Sequence, residues 1–424
     1  MHRSSSSLAT VIVLAVCATA HAAPPASVTR QHIVGDVYGY QFIIPVGTSP
    51  NAALRIHRVV RERAPFLPRP TTSAIMMLHG DFATFVTNFA PSLGNPASPS
   101  TGISVWLAQR GIDVWGVDRR WTLPAPDGDI SDLGEMGLVQ EMDDIGKALA
   151  FARGVRFITD ASLAKMMLAG FSRGGQLTYA YASAEAAKPA AQRHLKGIVP
   201  LDVYLKTAPE DSDIRDFFCS IAPQEYDLVA EGVTDADNSL QIGLGANFLA
   251  DPGAPTPFTD FFPPGFTNRQ AFLAIAARTF RFFPATPFYH LTAASFGADG
   301  RPAALTESAE TVIADWYAGS PFHSAFLESA DTDSLVCDQP PFAADVPLSR
   351  IRVPLLLIAA AGGYGAHALY TTTLVSSTDV STILIQRKPD DEIAEDFGHG
   401  DILFARDAPQ LAWQPLLSWL RAHE

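Results

Sequence analysis

The chemistry-bearing stretch of this chain is Gly170-Phe171-Ser172-Arg173-Gly174, which follows the apolar run Met166–Ala169 and precedes a helix-forming stretch, Gln176–Lys188. Strand, tight turn and helix with a serine at the apex form the context in which a G-x-S-x-G pattern can present a nucleophile. A serine whose Oγ stands proud of a sheet edge needs a strained backbone, and a side chain at 170 or 174 would collide across the turn. A chance match is easy in a chain with 30 glycines, so the flanking strand and helix carry the weight. A hydroxyl attacks poorly at neutral pH until an imidazole takes its proton, and the imidazole needs a carboxylate to hold its tautomer. His399, in Phe397-Gly398-His399-Gly400-Asp401, is the candidate imidazole. A tight turn at His79-Gly80-Asp81-Phe82 follows the apolar run Ala74–Leu78, and the N–H groups just after His79-Gly80 could face an attacking serine. Two such donors on a tetrahedral oxyanion each lower the barrier by about 3–4 kcal/mol.

Apolar runs and helical stretches alternate along the chain, as positioning these residues requires. Val37–Ile44 and Leu54–Val60 alternate as antiparallel edge strands do. Ala74–Leu78, Ile112–Val117, Met166–Ala169, Gly197–Leu201, Val353–Ala360 and Val380–Ile385 read as buried strands. Between them Ser104–Arg110 and Gly137–Gly154 read as helices, the latter on Val139, Met142, Ile145 and Leu149, and Asp407–His423 reads as the last helix. This is an α/β pattern, a mostly parallel central sheet with helices on both faces. Val203–Val346 breaks the rhythm with Phe, Pro and acidic residues, as in Pro255–Phe266 and Phe280–His290. It predicts a large, mainly helical cap inserted before the penultimate strand. The expected organisation is a signal peptide at 1–22, a core from 23–202 and 347–424, and the cap at 203–346.

With these motifs in this order, the chain resembles the α/β-hydrolase superfamily, in particular its lipases and esterases. The resemblance covers nearly all of the chain after the signal and outside the insertion. It implies Ser172 as nucleophile, His399 as general base and then acid, and the backbone N–H groups of Asp81 and Arg173 as oxyanion hole, with Phe82 the neighbouring alternative. The acid departs from the commonest pattern, because the loop after Val353–Ala360, residues Ala361–Ser377, contains no Asp or Glu. Some lipases of the family use a carboxylate one strand earlier, which here is Asp202. Asp379 is the alternative, and Asp390, Asp391 and Asp396 are more remote. The implied function is hydrolysis of a carboxylic ester with a hydrophobic acyl or alcohol group through an acyl-enzyme. Amide or carbon–carbon hydrolysis on the same triad, and a catalytically silent binding protein of this fold, are the alternatives.

The formal net charge of −14 argues against nucleic acid or an anionic membrane as partner; the resemblance implies a small or polymeric, hydrophobic ester as the expected one. No HExxH, CxxC, P-loop or dinucleotide fingerprint occurs, and the chemistry above needs no metal or organic cofactor. His2 and Arg3, the apolar Leu8–Cys17 and Ala20-His21-Ala22 read as an export signal cleaved near Ala22, which predicts a periplasmic or secreted protein without a permanent membrane anchor. Lipoprotein processing at Cys17 is disfavoured by the bulky Val16 before it. Cys219 and Cys337 would then pair in an oxidising compartment. Of the remaining candidates, His79 is expected to steady its turn, and His290 and His323 to lie on the cap surface or in its pocket. Asp401 is expected to start the final helix, and Lys388–Asp396 to be a solvated turn. Arg119, Arg120 and Trp121 follow a strand end and would either line a pocket or form ion pairs.

Overall fold

The computed structural model describes residues 26–71, 73–98, 100–160, 162–277, 289–337 and 346–424. The expected signal at 1–22 and residues 280–288 of the phenylalanine-rich stretch lie outside the described residues. The strands are β1 (Ser27–Val34), β2 (Val37–Pro45), β3 (Ala53–Ala64), β4 (Leu67–Pro68), β5 (Ala74–Leu78), β6 (Asp113–Asp118), β7 (Met166–Phe171), β8 (Leu195–Leu201), β9 (Ala294–Phe296), β10 (Pro302–Leu305), β11 (Leu355–Ala360) and β12 (Val380–Ile385). The main sheet runs β1-β2-β3-β6-β5-β7-β8-β11-β12, with β4 on β3. The pairings β1–β2, β2–β3 and β3–β6 are antiparallel, and all those from β6 to β12 are parallel.

Burial explains this split. β5, β7 and β11 are apolar and buried at every position, as parallel strands covered on both faces must be. Edge strand β12 alternates instead, with one face open to solvent. Successive side chains feed two cores of period two. Ile75, Met77, Met167, Leu356 and Ile358 meet Ile103, Leu107 and Leu416 on one face. Met76, Leu78, Leu168, Leu355 and Leu357 meet Leu149, Ala152 and Leu177 on the other. In the helix Leu138–Asp160 the expected Ile145 and Leu149 are buried and Met142 packs against the core, but Val139 is 58% exposed and Leu138 is buried in its stead. Val139 lies six residues before Ile145, on the solvent side of a helix of 3.6 residues per turn.

Between β8 and β11 stand the helices Ser212–Ala230, Ser239–Ala250, Asn268–Ala277, Glu310–Ala318 and Phe326–Cys337, with the hairpin β9–β10 among them. Many of their aromatics pack inward. Phe248 meets Phe272 at 4.7 Å between ring centroids, Phe272 meets Tyr317 at 5.5 Å, and Trp316 reaches Phe404 of the core at 5.0 Å. Cys219 and Cys337 form a disulfide that joins the first and last of these helices across 118 residues. A loop that long stabilises by about 4–5 kcal/mol in the chain-entropy description, less any native strain. Cys337→Ser should therefore lower the denaturant midpoint, and reductant should lower wild type to the same value. Equal midpoints for oxidised, reduced and mutant protein would contradict a stabilising bridge.

Candidate active site

β7 ends at Phe171, the helix Arg173–Ala186 begins one residue later, and Ser172 between them takes φ 56° and ψ −128°. Such a conformation is costly for a non-glycine residue and persists only where its surroundings enforce it. A Cβ on Gly170 would stand 2.0 Å from the Gly174 carbonyl oxygen, and one on Gly174 would stand 2.3 Å from the Leu78 oxygen. The motif's two glycines are thus demanded by backbone approach. The Ser172 N–H donates to the Leu201 carbonyl at 3.2 Å, and the Gly175 N–H donates to the Ser172 carbonyl at 2.7 Å, which pins the apex.

Asp202 stands at the end of β8, also at positive φ, 44°. The His399 Nδ1–H donates to its Oδ2 at 2.6 Å. The N–H groups of Ala360 and Tyr364 donate to the same carboxylate at 2.8 and 3.1 Å. A Cβ on Gly363 would lie 2.1 Å from that Oδ2. The loop after β11, which lacks an acid of its own, is thus the cradle of the acid from β8. Asp379 lies elsewhere: its carbonyl accepts from Leu355, at the start of β11, and its carboxylate pairs with His423 at 2.9 Å. That is the opposite end of the parallel strands from Asp202. Asp390 and Asp391 are exposed, and Asp396 is buried, accepting the N–H groups of Arg387 and Phe397 at 2.9 and 2.6 Å. The stretch Lys388–Asp396 is therefore solvated only in part.

His399 is 2% exposed and stacks on Phe171, the residue before Ser172, at 4.4 Å between centroids. Tyr289 and Tyr364 close its other sides at 5.3 and 5.1 Å. The insertion holds the histidine loop directly, since the His399 N–H donates to the His290 carbonyl at 3.0 Å and the Gly400 N–H to that of Leu291 at 2.6 Å. His290 is fully buried there, with Nε2 donating to the Asp396 carbonyl at 2.6 Å. His323 is buried as well and pairs with Asp235 at 2.7 Å. Neither histidine is a surface residue: His290 reaches the Asp396 carbonyl, and His323 reaches the Ala125 carbonyl at 3.0 Å through Nε2. Asp401 starts a short helix, Asp401–Phe404, and not the final one, Gln414–Ala422. Its carboxylate accepts the N–H groups of Gly398 and Ala293 at 2.8 and 2.7 Å and the Ser308 hydroxyl at 2.5 Å.

The His79-Gly80 turn packs against Ser172, for a Cβ on Gly80 would meet the Ser172 Cβ at 3.0 Å. The Gly80 N–H is occupied by Asn88 Oδ1 at 2.9 Å. Arg173 opens its helix, so its N–H has no partner one turn earlier. Phe82 is at φ 53° and 38% exposed, and its carbonyl accepts from Gln241 at 3.3 Å, which directs that residue outward. His79 donates from Nδ1 to the Gly80 carbonyl at 2.9 Å and accepts the Arg119 N–H on Nε2 at 3.2 Å. Doing both requires the neutral imidazole, and burial together with Arg119 holds its pKa down to about 3. Arg119 and Arg120 are ion-paired, to Glu328 and to Asp144, and Trp121 donates to Glu328 at 2.6 Å.

No protein-family model and no curated protein sequence matches the chain. Among solved structures, a putative lipase from Sulfolobus solfataricus superposes with a TM-score of 0.59 over 94% of this chain and 99% of its own, at 13% identity. A monoglyceride lipase from Saccharomyces cerevisiae (TM-score 0.44, 11% identity) covers 96% of this chain and 97% of its own. An esterase from Thermogutta terrifontis (0.41, 13%) covers 90% and 98%. The chain has the α/β-hydrolase fold.

Sequence reasoning missed one part of this site. The helix Phe326–Cys337 buries Glu328, Asp331, Thr332 and Asp333 together. Arg173 donates to Asp333 at 2.5 Å, to Thr332, and to Asp81 at 2.9 Å. The only sequence signal is a polar helix, which reads equally well as solvent-facing. Burial, and next the charge of Asp333, pushes the carboxyl of nearby Glu225 up to about 8, and burial pushes Asp401 up to about 7.

Two predictions follow from this geometry. Asp202→Asn should lower kcat by about 10⁴-fold through the wrong histidine tautomer, whereas Asp379→Asn should leave ester turnover near wild type; the reverse ranking in steady-state kinetics would overturn the assignment. The ordinary carboxyl values are 4.5 and 3.8, so Glu225 and Asp401 bind protons more tightly folded than unfolded. The stability they confer is complete below those values and is lost as pH rises through about 7 to 8. Glu225→Gln should flatten the decline of the melting temperature over that window, and an unchanged slope would contradict its raised pKa.

Proposed function

We propose that this protein is an exported serine hydrolase that cleaves carboxylic esters through an acyl-enzyme. The observation that carries the reading is the Asp202–His399 hydrogen bond, set beside a serine at positive φ against which the Gly80 turn packs. In the reaction, Ser172 Oγ bonds to the ester carbonyl carbon as its proton passes to His399 Nε2. The negative oxygen is held by the Asp81 and Arg173 N–H groups. Collapse breaks the bond to the alcohol oxygen, which leaves with the proton from His399. A water then gives its proton to His399 and attacks the acyl carbon, and the acid departs as the proton returns to Ser172. Asp202 keeps Nδ1 protonated throughout and balances the imidazolium charge.

Phe171, Tyr289 and Tyr364 around His399 support a substrate with a hydrophobic group. The disulfide supports an oxidising compartment, and among the described residues no helix is long and apolar enough to cross a membrane. The similarity to one solved structure, a putative lipase, supports ester chemistry at the level of fold alone.

The test is hydrolysis of p-nitrophenyl esters of increasing acyl length by wild type and Ser172→Ala. Turnover by wild type that falls by about 10⁴-fold or more in the variant, with an unchanged melting temperature, is expected. Equal activity in the two proteins would move the nucleophile elsewhere, and no turnover of any chain length would favour a silent binding protein.

A further inference from the structure

We infer that Arg119, held by Glu328 of the insertion, is the positioning residue that aims and polarises the Asp81 N–H as an oxyanion donor. The inference rests on the ester-hydrolase reading for its kinetic consequence, but the geometry stands apart from it. The Asp81 N–H belongs to the same peptide unit as the Gly80 carbonyl. In a trans peptide the two point in opposite directions, so fixing one fixes the other. The Gly80 carbonyl accepts from Arg119 Nη2 at 2.6 Å and from His79 Nδ1 at 2.9 Å. Arg119 Nη2 also donates to the His79 carbonyl at 2.8 Å. The N–H of Asp81 is thereby turned away from Arg119. A cation bonded to the carbonyl draws electron density through the amide and makes its N–H the stronger donor.

The guanidinium is itself placed from the insertion. Arg119 is 4% exposed, and its Nη1 pairs with Glu328, which is 2% exposed and also accepts Trp121 Nε1 at 2.6 Å. A second strap reaches the other donor. Arg173 bonds Asp81 through Nε and Asp333 and Thr332 through Nη1, so one side chain joins both oxyanion residues to the same helix. That helix, Phe326–Cys337, ends in the disulfide to the helix Ser212–Ala230. The oxyanion hole is thus preorganised by the insertion as well as by the core. Placement of this helix sets transition-state binding more than ground-state binding.

Glu328→Gln tests this, with Thr332→Val as an isosteric second variant that removes an acceptor of Arg173 together with the hydroxyl's own bond to the Glu328 carbonyl. Three readouts are compared with wild type: kcat and KM on p-nitrophenyl butyrate, affinity for a trifluoromethyl ketone that forms a tetrahedral oxyanion on the serine, and amide hydrogen exchange of the peptide containing residues 79–84. The expected result for Glu328→Gln is a kcat loss of about tenfold with KM within about twofold, a matching loss of ketone affinity, and faster exchange in the turn. Thr332→Val should shift all three the same way by a smaller factor. A purely structural role would lower the melting temperature and raise KM while sparing the ratio of ketone affinity to substrate affinity, and that pattern would overturn the inference. Unchanged exchange at 79–84 in both variants would also overturn it, whatever the turnover. A wild type without ester turnover would instead overturn the ester reading, with exchange still deciding the clamp.

Discussion

The hydrogen bond from His399 to Asp202 spans 197 residues and is the contact around which this molecule closes. One partner ends a central strand, and the other sits in a loop close to the C-terminus. The bond requires a third segment, the glycine-containing turn after β11, to wrap the carboxylate with N–H groups, and a fourth, His290–Leu291, to hold the histidine loop. A buried carboxylate without such partners would be costly. Here the N–H donors and the imidazole all bond to it, and the cost of its desolvation is offset. Two positive-φ residues, Ser172 and Asp202, concentrate backbone strain at this junction.

The segment between β8 and β11 is part of this construction and not an appendage to it. It supplies Glu328, Thr332 and Asp333 to Arg119 and Arg173 and the His290 and Leu291 carbonyls to the histidine loop. Asp81, Arg173 and His399 are therefore braced by chain segments from both parts. Trp316 against Phe404 and the buried Arg119–Glu328 pair tie the same parts together with apolar and ionic contacts. A buried ion pair is weak evidence for stability, because desolvation nearly cancels the attraction. Its value here lies in orientation, since a guanidinium bonded to two carbonyls of one turn leaves that turn a single geometry.

What could be read from the sequence is what local rules encode. The Ser172 motif spans five residues, and each glycine answers to an approach within one turn, so its meaning survives without a fold. The parallel sheet was legible from runs such as AIMML and LLLIAA, whose all-apolar character follows from burial on both faces. Asp202 stood out because the loop after β11 lacks an acid, and the structure supplies the physical complement, a loop whose Gly363 and N–H groups receive one. The phase of the helix Leu138–Asp160 was misread at Val139 because a period of 3.6 blurs over a few turns, and buried Glu141 takes no part in an apolar pattern. The roles of Arg119, Glu328, Thr332 and Asp333 were out of reach. Their partners lie about 160 to 210 residues apart, and a polar helix carries no mark of what will cover it.

The central claim is that His399 and Asp202 activate Ser172, and the most direct test is covalent capture by a fluorophosphonate followed by peptide mass mapping. A single phosphonyl adduct on the peptide carrying Ser172 is predicted for the folded protein, absent after denaturation and strongly slowed in His399→Ala. An adduct on another residue, or none on well-folded wild type, would contradict it.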